Sequence, residues 1–203
     1  MRTYPNTVGL LPYAIEEWYG RLTLAFAEHR RWPKDSRIKA KALYVAGVLA
    51  HYTEDAAQPL HTTIHFDGRA KADGKSPHSG IHGKVDALPE KIGLTAAEVA
   101  RGMKPVEAFP QGGAFTAAMT FIRESHAKVD LVYKLEGKLP AEDAPVPAKV
   151  DPEVRAFALE RARAAAGFTA RVWYSAWAHS AKLRLPGWHK AYGAPGSAGG
   201  ARE

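Results

Sequence analysis

His51, Asp55, His61, His82 and Asp86 are the residues whose types and spacing could do chemistry. His51 and Asp55 stand four apart in a helical pattern, so their side chains leave one face a turn from each other. An imidazole nitrogen and a carboxylate oxygen so placed can close on one zinc-sized ion at ~2.0–2.2 Å. Pro59 disturbs that helix near its end, and His61 follows at once. Beyond a long loop, Ile81-His82-Gly83-Lys84-Val85-Asp86 repeats the His/Asp pair at i and i+4. Helical folds build metal sites in this way, from side chains projected by facing helices. Taken singly, each pair also reads as a surface ion pair, and His51 as a core histidine with one hydrogen bond. Against that, Tyr44, Val48, His51 and Asp55 continue one stripe, which predicts that the pair points inward. A buried carboxylate without a partner is costly, and a cation is the simplest relief.

Composition narrows the donor set. The 203 residues include no cysteine, which excludes a disulfide scaffold, a thiol nucleophile, an iron–sulfur cluster and any zinc site built on thiolates. A transition metal must then be held by nitrogen and oxygen, and nine histidines are present. Hydrophobic residues at 46% and charged residues at 24% suit a globular chain and argue against intrinsic disorder of the whole. Lys and Arg outnumber Asp and Glu by 28 to 21, a formal +7 with a pI near 9.6. That balance favours anionic partners such as nucleic acid, phospholipid headgroups or other phosphoesters. The basic residues are scattered, which reads as a solvated face rather than a dedicated nucleic-acid patch. No stretch approaches the ~18–20 apolar residues of a membrane span, and the first residues have no signal-peptide pattern.

The elements that must position these residues are helical nearly throughout. Ile15, Trp18, Tyr19, Leu22 and Phe26 form a stripe after Pro12, which suits a first helical turn. Asp35 or Ser36 can cap a second helix, whose apolar stripe is Ile38, Ala42, Val45, Leu49 and Tyr52. Residues 62–80 read as a loop longer than compact domains usually carry, which itself hints at function. A short helix is expected from Gly80 or Ile81, and Thr95 with Glu98 reads as a capping box. Phe115, Met119, Ile122, His126, Val129 and Tyr133 predict one long helix after a loop at 104–113. Residues 137–150 read as a linker, and Asp151-Pro152 opens a last helix running through Phe157, Phe168, Val172 and Trp177 to about Lys182. The expectation is one all-α, multi-helix domain over residues 1–192 with a disordered tail at 193–203.

At this level of detail the chain resembles the zinc-dependent phospholipase C / S1–P1 nuclease superfamily. The motif is His51-x3-Asp55-x5-His61 followed by His82-x3-Asp86, with Gln58-Pro59-Leu60-His61-Thr62-Thr63, Asp67-Gly68 and Gly80-Ile81-His82 close in wording. Leu11-Pro12-Tyr13-Ala14-Ile15-Glu16-Glu17, Phe121–His126 and Thr169–Trp177 are similar to the supporting helices, so the likeness covers roughly residues 8–183. The resemblance implies a helical fold that uses three zinc ions to hydrolyse phosphoester bonds. It implies that His61, His82 and Asp86 hold one zinc, that His51 ligates a second, and that Asp55 bridges the second and third. Asp86 in the last position leans towards the nuclease branch, where phospholipases commonly have Glu. The family's remaining ligands lie upstream of the Leu-Pro-Tyr segment. Only ten residues precede Leu11 here, and none is His, Asp or Trp. The chain therefore reads as N-terminally truncated, with ligands for one complete zinc and little hydrolytic activity. The resemblance also implies export.

The substrate is expected to be a phosphoester, phospholipid or nucleic acid. A different class is the alternative: a metal-stabilised helical module that binds an anionic partner without turning it over. A phosphohydrolase of the HD type is disfavoured, since the chain has no His-Asp dipeptide. His65 and His78 read as solvent-facing loop histidines. His126 reads as a hydrogen-bonded core histidine, and Trp173 and Trp177 as core rather than a base-stacking platform.

Overall fold

The computed structural model describes residues 9–141, 145, 147, 149–187 and 189, and among them it is all-α. Helix α1 is Leu11–Arg31 and α2 is Ser36–Asp55; a 3-10 turn, Pro59–Thr62, follows. Then come α3 (Ile81–Asp86), α4 (Leu88–Lys91), α5 (Ala96–Ala100), α6 (Ala114–His126), α7 (Val129–Leu135) and α8 (Pro152–Ser180). The described residues hold no strand, only an isolated bridge between Phe66 and Gly68. The tail at 193–203 lies outside the described residues.

Caps form where side chains can satisfy free helical N–H groups. Asp35 accepts from the Arg37 amide at the start of α2, and Asp151 from the Glu153 and Val154 amides at the start of α8. Thr95 and Glu98 close the expected capping box. At 29 residues α8 is about 43 Å long, long enough to serve two apolar cores. Its second half (Phe168, Val172, Ala176) joins Ile15, Leu22, Leu49 and Phe121 in one core. Its first half (Val154, Phe157, Ala158) joins Leu60, Ile81, Leu88, Val132 and Leu135 in the other. The chain passes from the first core to the second between Ala57 and Leu60, and His61 stands at that crossing.

Four expectations need correction. The stripe Tyr44, Val48, His51 does not point inward: Tyr44 is 67% exposed and the His51 side chain 71%. The buried face of α2 is Ile38, Ala42, Val45, Leu49 and Thr53. The single helix expected from Phe115 to Tyr133 is two, α6 and α7, separated at Ala127–Lys128. Its buried stripe lies one residue earlier than expected, on Ala114, Ala118, Phe121 and Ser125, then shifts to Val129, Val132 and Leu135 as the segment changes cores. His126 is consequently exposed, with Nδ1 3.0 Å from the Thr62 carbonyl oxygen, and is not a core residue. Trp173 and Trp177 are 38% and 39% exposed, so neither is core.

Candidate metal centre

Local chain geometry brings three of the five residues to one point. The Gln58 side chain caps the 3-10 turn by accepting from the Leu60 amide at 2.5 Å, and the His61 amide donates to the Gln58 carbonyl at 3.1 Å. This turn aims His61 at α3. On α3 the i, i+4 spacing sets His82 Nε2 3.2 Å from Asp86 Oδ2. His61 Nε2 lies 3.2 Å from His82 Nε2 and 3.6 Å from Asp86 Oδ1. Ligands at ~2.0–2.2 Å on a tetrahedron stand roughly 3.3–3.6 Å apart, close to these separations, although the two Asp86 distances end on different oxygens and an ion would take one of them. The ligand atoms all fall within 4.8 Å of one another.

The partners of the other ring nitrogens decide what the cluster can hold. His82 Nδ1 is 3.1 Å from the Phe66 carbonyl oxygen, which can only accept, so Nδ1 carries the proton. His61 Nδ1 is 3.3 Å from Asp55 Oδ1, which likewise assigns its proton to Nδ1. Both Nε2 atoms are then lone-pair donors, 3.2 Å apart and beside a carboxylate. Two lone pairs and an anion at that separation repel unless a cation sits between them. Orientation of metal-binding imidazoles by a carboxylate and a backbone carbonyl is the usual outer arrangement of such centres.

Without a metal, a proton takes the cation's place. Hydrogen bonds to Asp55 and Asp86, with their negative charge, push His61 up to about 9 against the opposing effect of burial. Burial would raise the Asp86 carboxyl, but hydrogen bonds from His61 and Gln58 and the charge of His82 outweigh it and hold the group below its usual range. Gln58 Nε2 donates to Asp86 Oδ1 at 2.8 Å, so one side chain both shapes the turn under His61 and holds a second ligand.

The loop at 63–80 is fastened to this centre. The Asp67 carboxylate accepts from the His82 amide at 3.2 Å, and the Asp67 carbonyl from the Ser79 amide at 2.8 Å. Gly68 follows with φ +111°, and a Cβ there would overlap the Pro77 ring, so only glycine fits. The Tyr133 hydroxyl donates to the His65 carbonyl and accepts from the Gly68 amide. His65 is therefore a brace inside the loop, its Nδ1 accepting from the Ala70 amide, rather than a solvent-facing side chain. His78 is solvent-facing, at 74% exposure, with Nδ1 3.5 Å from Asp67 Oδ2.

His51 and Asp55 stand beside the trio rather than in it. Asp55 Oδ1 faces His61, and Oδ2 is 3.4 Å from His51 Nε2. Two concavities open on either side. One, of about 540 Å³, is lined by Leu10, Tyr52, Phe66 and His82 among others. The other, a groove of about 840 Å³, runs from Asp86 past Val85, Leu88, Val99, Met103 and Phe157. Asp55 and His61 line both. Sequence reasoning found the trio but assigned no role to Gln58, the Phe66 carbonyl or the Asp67 cap. Only Gln58 left a signal, as a polar residue directly before a proline-initiated turn. Comparison of the chain with protein-family models, curated proteins and solved structures finds no match.

Proposed function

We propose that this protein is a metal-dependent hydrolase of phosphoester bonds, with His61, His82 and Asp86 holding a zinc-class ion. The observation that carries the reading is the approach of two Nε2 atoms to 3.2 Å beside a carboxylate, with each ring's Nδ1 held by an acceptor of its own. Two neutral imidazoles and one carboxylate suit zinc and its first-row neighbours, and three protein ligands leave a fourth position for water or substrate. An ion in such a site polarises a phosphoryl oxygen and lowers the pKa of water from 15.7 to about 7.

The chain's own residues supply the rest. Asp55 keeps the His61 proton on Nδ1, and the Phe66 carbonyl does the same for His82, so both Nε2 atoms stay available. Gln58 keeps Asp86 turned towards them. The resemblance extends the reading to a cluster, with His51 on a second zinc and Asp55 bridging two ions. The 3.4 Å pairing of His51 with Asp55 supports this, since it holds both groups next to the trio.

Metal analysis with a phosphodiesterase assay on bis(p-nitrophenyl) phosphate tests the proposal. About one tightly held zinc per chain is expected, with weak hydrolysis that is lost on chelation and in His82→Ala. Zinc-dependent thermal stabilisation without hydrolysis would favour the non-catalytic binding module instead. Absence of stoichiometric zinc would overturn the metal assignment.

A further inference from the structure

Away from the metal centre, half-exposed aromatic side chains meet a basic pocket at the C-terminal end of α8. Trp173, Tyr174 and Trp177 are 38%, 49% and 39% exposed, and Leu183 beyond the helix is 45% exposed. Their spacing of three and four residues puts the three rings on one side of α8. Arg30 joins this edge to α1: its guanidinium lies 3.6 Å from the Trp177 ring centroid and donates to the Ser180 hydroxyl and the Trp177 carbonyl, each at 2.9 Å. Next to it a pocket of about 510 Å³ is lined by Arg30, Arg31, Trp32, Leu183, Arg184 and His189 among others, with no Asp or Glu among the described residues that line it. Glu28, bonded to His189 of this pocket, is buried and engaged by Lys41 as well.

We propose that this edge docks the protein on an anionic phospholipid bilayer. Arg31 and Arg184 meet lipid phosphates, while Trp173, Tyr174, Trp177 and Leu183 enter the headgroup layer. Guanidinium forks match phosphate oxygens. Trp and Tyr with one apolar end and one wet end favour the membrane–water interface. Such anchoring combines apolar burial with attraction to anionic lipid. Charge selects the partner, because the described residues of the pocket offer three arginines and no carboxylate. The same residue types could suit single-stranded nucleic acid, but base stacking needs an open ring face. Arg30 covers a face of Trp177, and Phe26 packs against that ring at 87° and 5.3 Å. No residue of this edge belongs to the metal trio, so the proposal stands or falls separately from the catalytic reading.

Sedimentation of the full chain with phosphatidylcholine vesicles, with and without phosphatidylglycerol, tests it. Binding to the anionic vesicles is expected, at least about tenfold tighter than to the neutral ones and weakened by salt. Brominated lipids should quench tryptophan emission, and less so in Trp173→Phe/Trp177→Phe. Arg31→Glu/Arg184→Glu should lose anionic preference at unchanged melting temperature. Equal binding to both vesicle types, absent quenching, or wild-type binding by the arginine variant would each overturn the proposal. So would a single-stranded oligonucleotide that binds this edge more tightly than the anionic vesicles do.

Discussion

Replacing Gln58 by Ala separates the turn's stability from the grip of the proposed metal site. The wild-type side chain makes two bonds, one accepted from the Leu60 amide at 2.5 Å and one donated to Asp86 Oδ1 at 2.8 Å. Loss of the first is comparable to loss of a helix N-cap, about 1 kcal/mol. The second goes to a charged acceptor, for which about 1.5–3 kcal/mol is usual. The Asp86 side chain is 43% exposed, however, and water replaces part of that bond, so about 1 kcal/mol is the better figure. The sum, about 2 kcal/mol, corresponds to a fall of roughly 4–8 °C in Tm for a chain of this size. Zinc affinity has its own dependence, because Asp86 is then free to turn away from His61 and His82. Loss of such a supporting contact weakens metal binding about 10–100-fold, or about 1.4–2.8 kcal/mol. Zinc titration against a competing chelator, alongside thermal denaturation of the metal-free protein, reads both quantities. A lower Tm with unchanged zinc Kd would refute the reasoning and leave Gln58 a residue of the turn alone.

Other perturbations carry equally definite signs. The proton on His61, with pKa raised to about 9 from the usual 6.5, stabilises the metal-free fold fully below about 6.5 and progressively less as pH rises through about 9. The metal-free Tm should fall across that window, and His61→Gln should flatten the profile. In the same window zinc must displace that proton, so its affinity should rise by up to about tenfold per pH unit, measured by chelator competition at fixed ionic strength. Gly68→Ala places a Cβ against the Pro77 ring at φ +111°, costing about 1–3 kcal/mol by denaturant unfolding. Zinc should bind that variant more weakly too, since Phe66 and Asp67 beside Gly68 hold His82. Thr53→Val removes a fully buried 2.7 Å bond between Thr53 and Thr169, with a loss of about 1–2 kcal/mol in denaturant unfolding. Its zinc Kd should stay at the wild-type value, because neither threonine touches the trio.

The residue sequence by itself determined whatever rests on local geometry. The Asp35, Thr95 and Asp151 caps involve contacts within a few residues and formed where expected, as did the end of the helix before Pro59. The His82–Asp86 pair belongs with them, since i, i+4 spacing on a helix guarantees proximity. Tertiary structure decided which flank of each amphipathic helix is covered. The stripe through Tyr44 and His51 looked apolar enough to be inside, yet α2 buries the adjacent Val45–Leu49–Thr53 face against α1 and α8. The Trp173–Trp177 side of α8 stayed partly open for the same reason: periodicity gives an angle around the helix axis and not the position of the neighbour. Only the fold could bring His61 to α3, turn Asp55 towards His61 Nδ1, and lay Gln58 on Asp86 across 28 residues of chain. Those contacts depend on the crossing between two cores at Leu60, a packing of distant segments that no local spacing encodes.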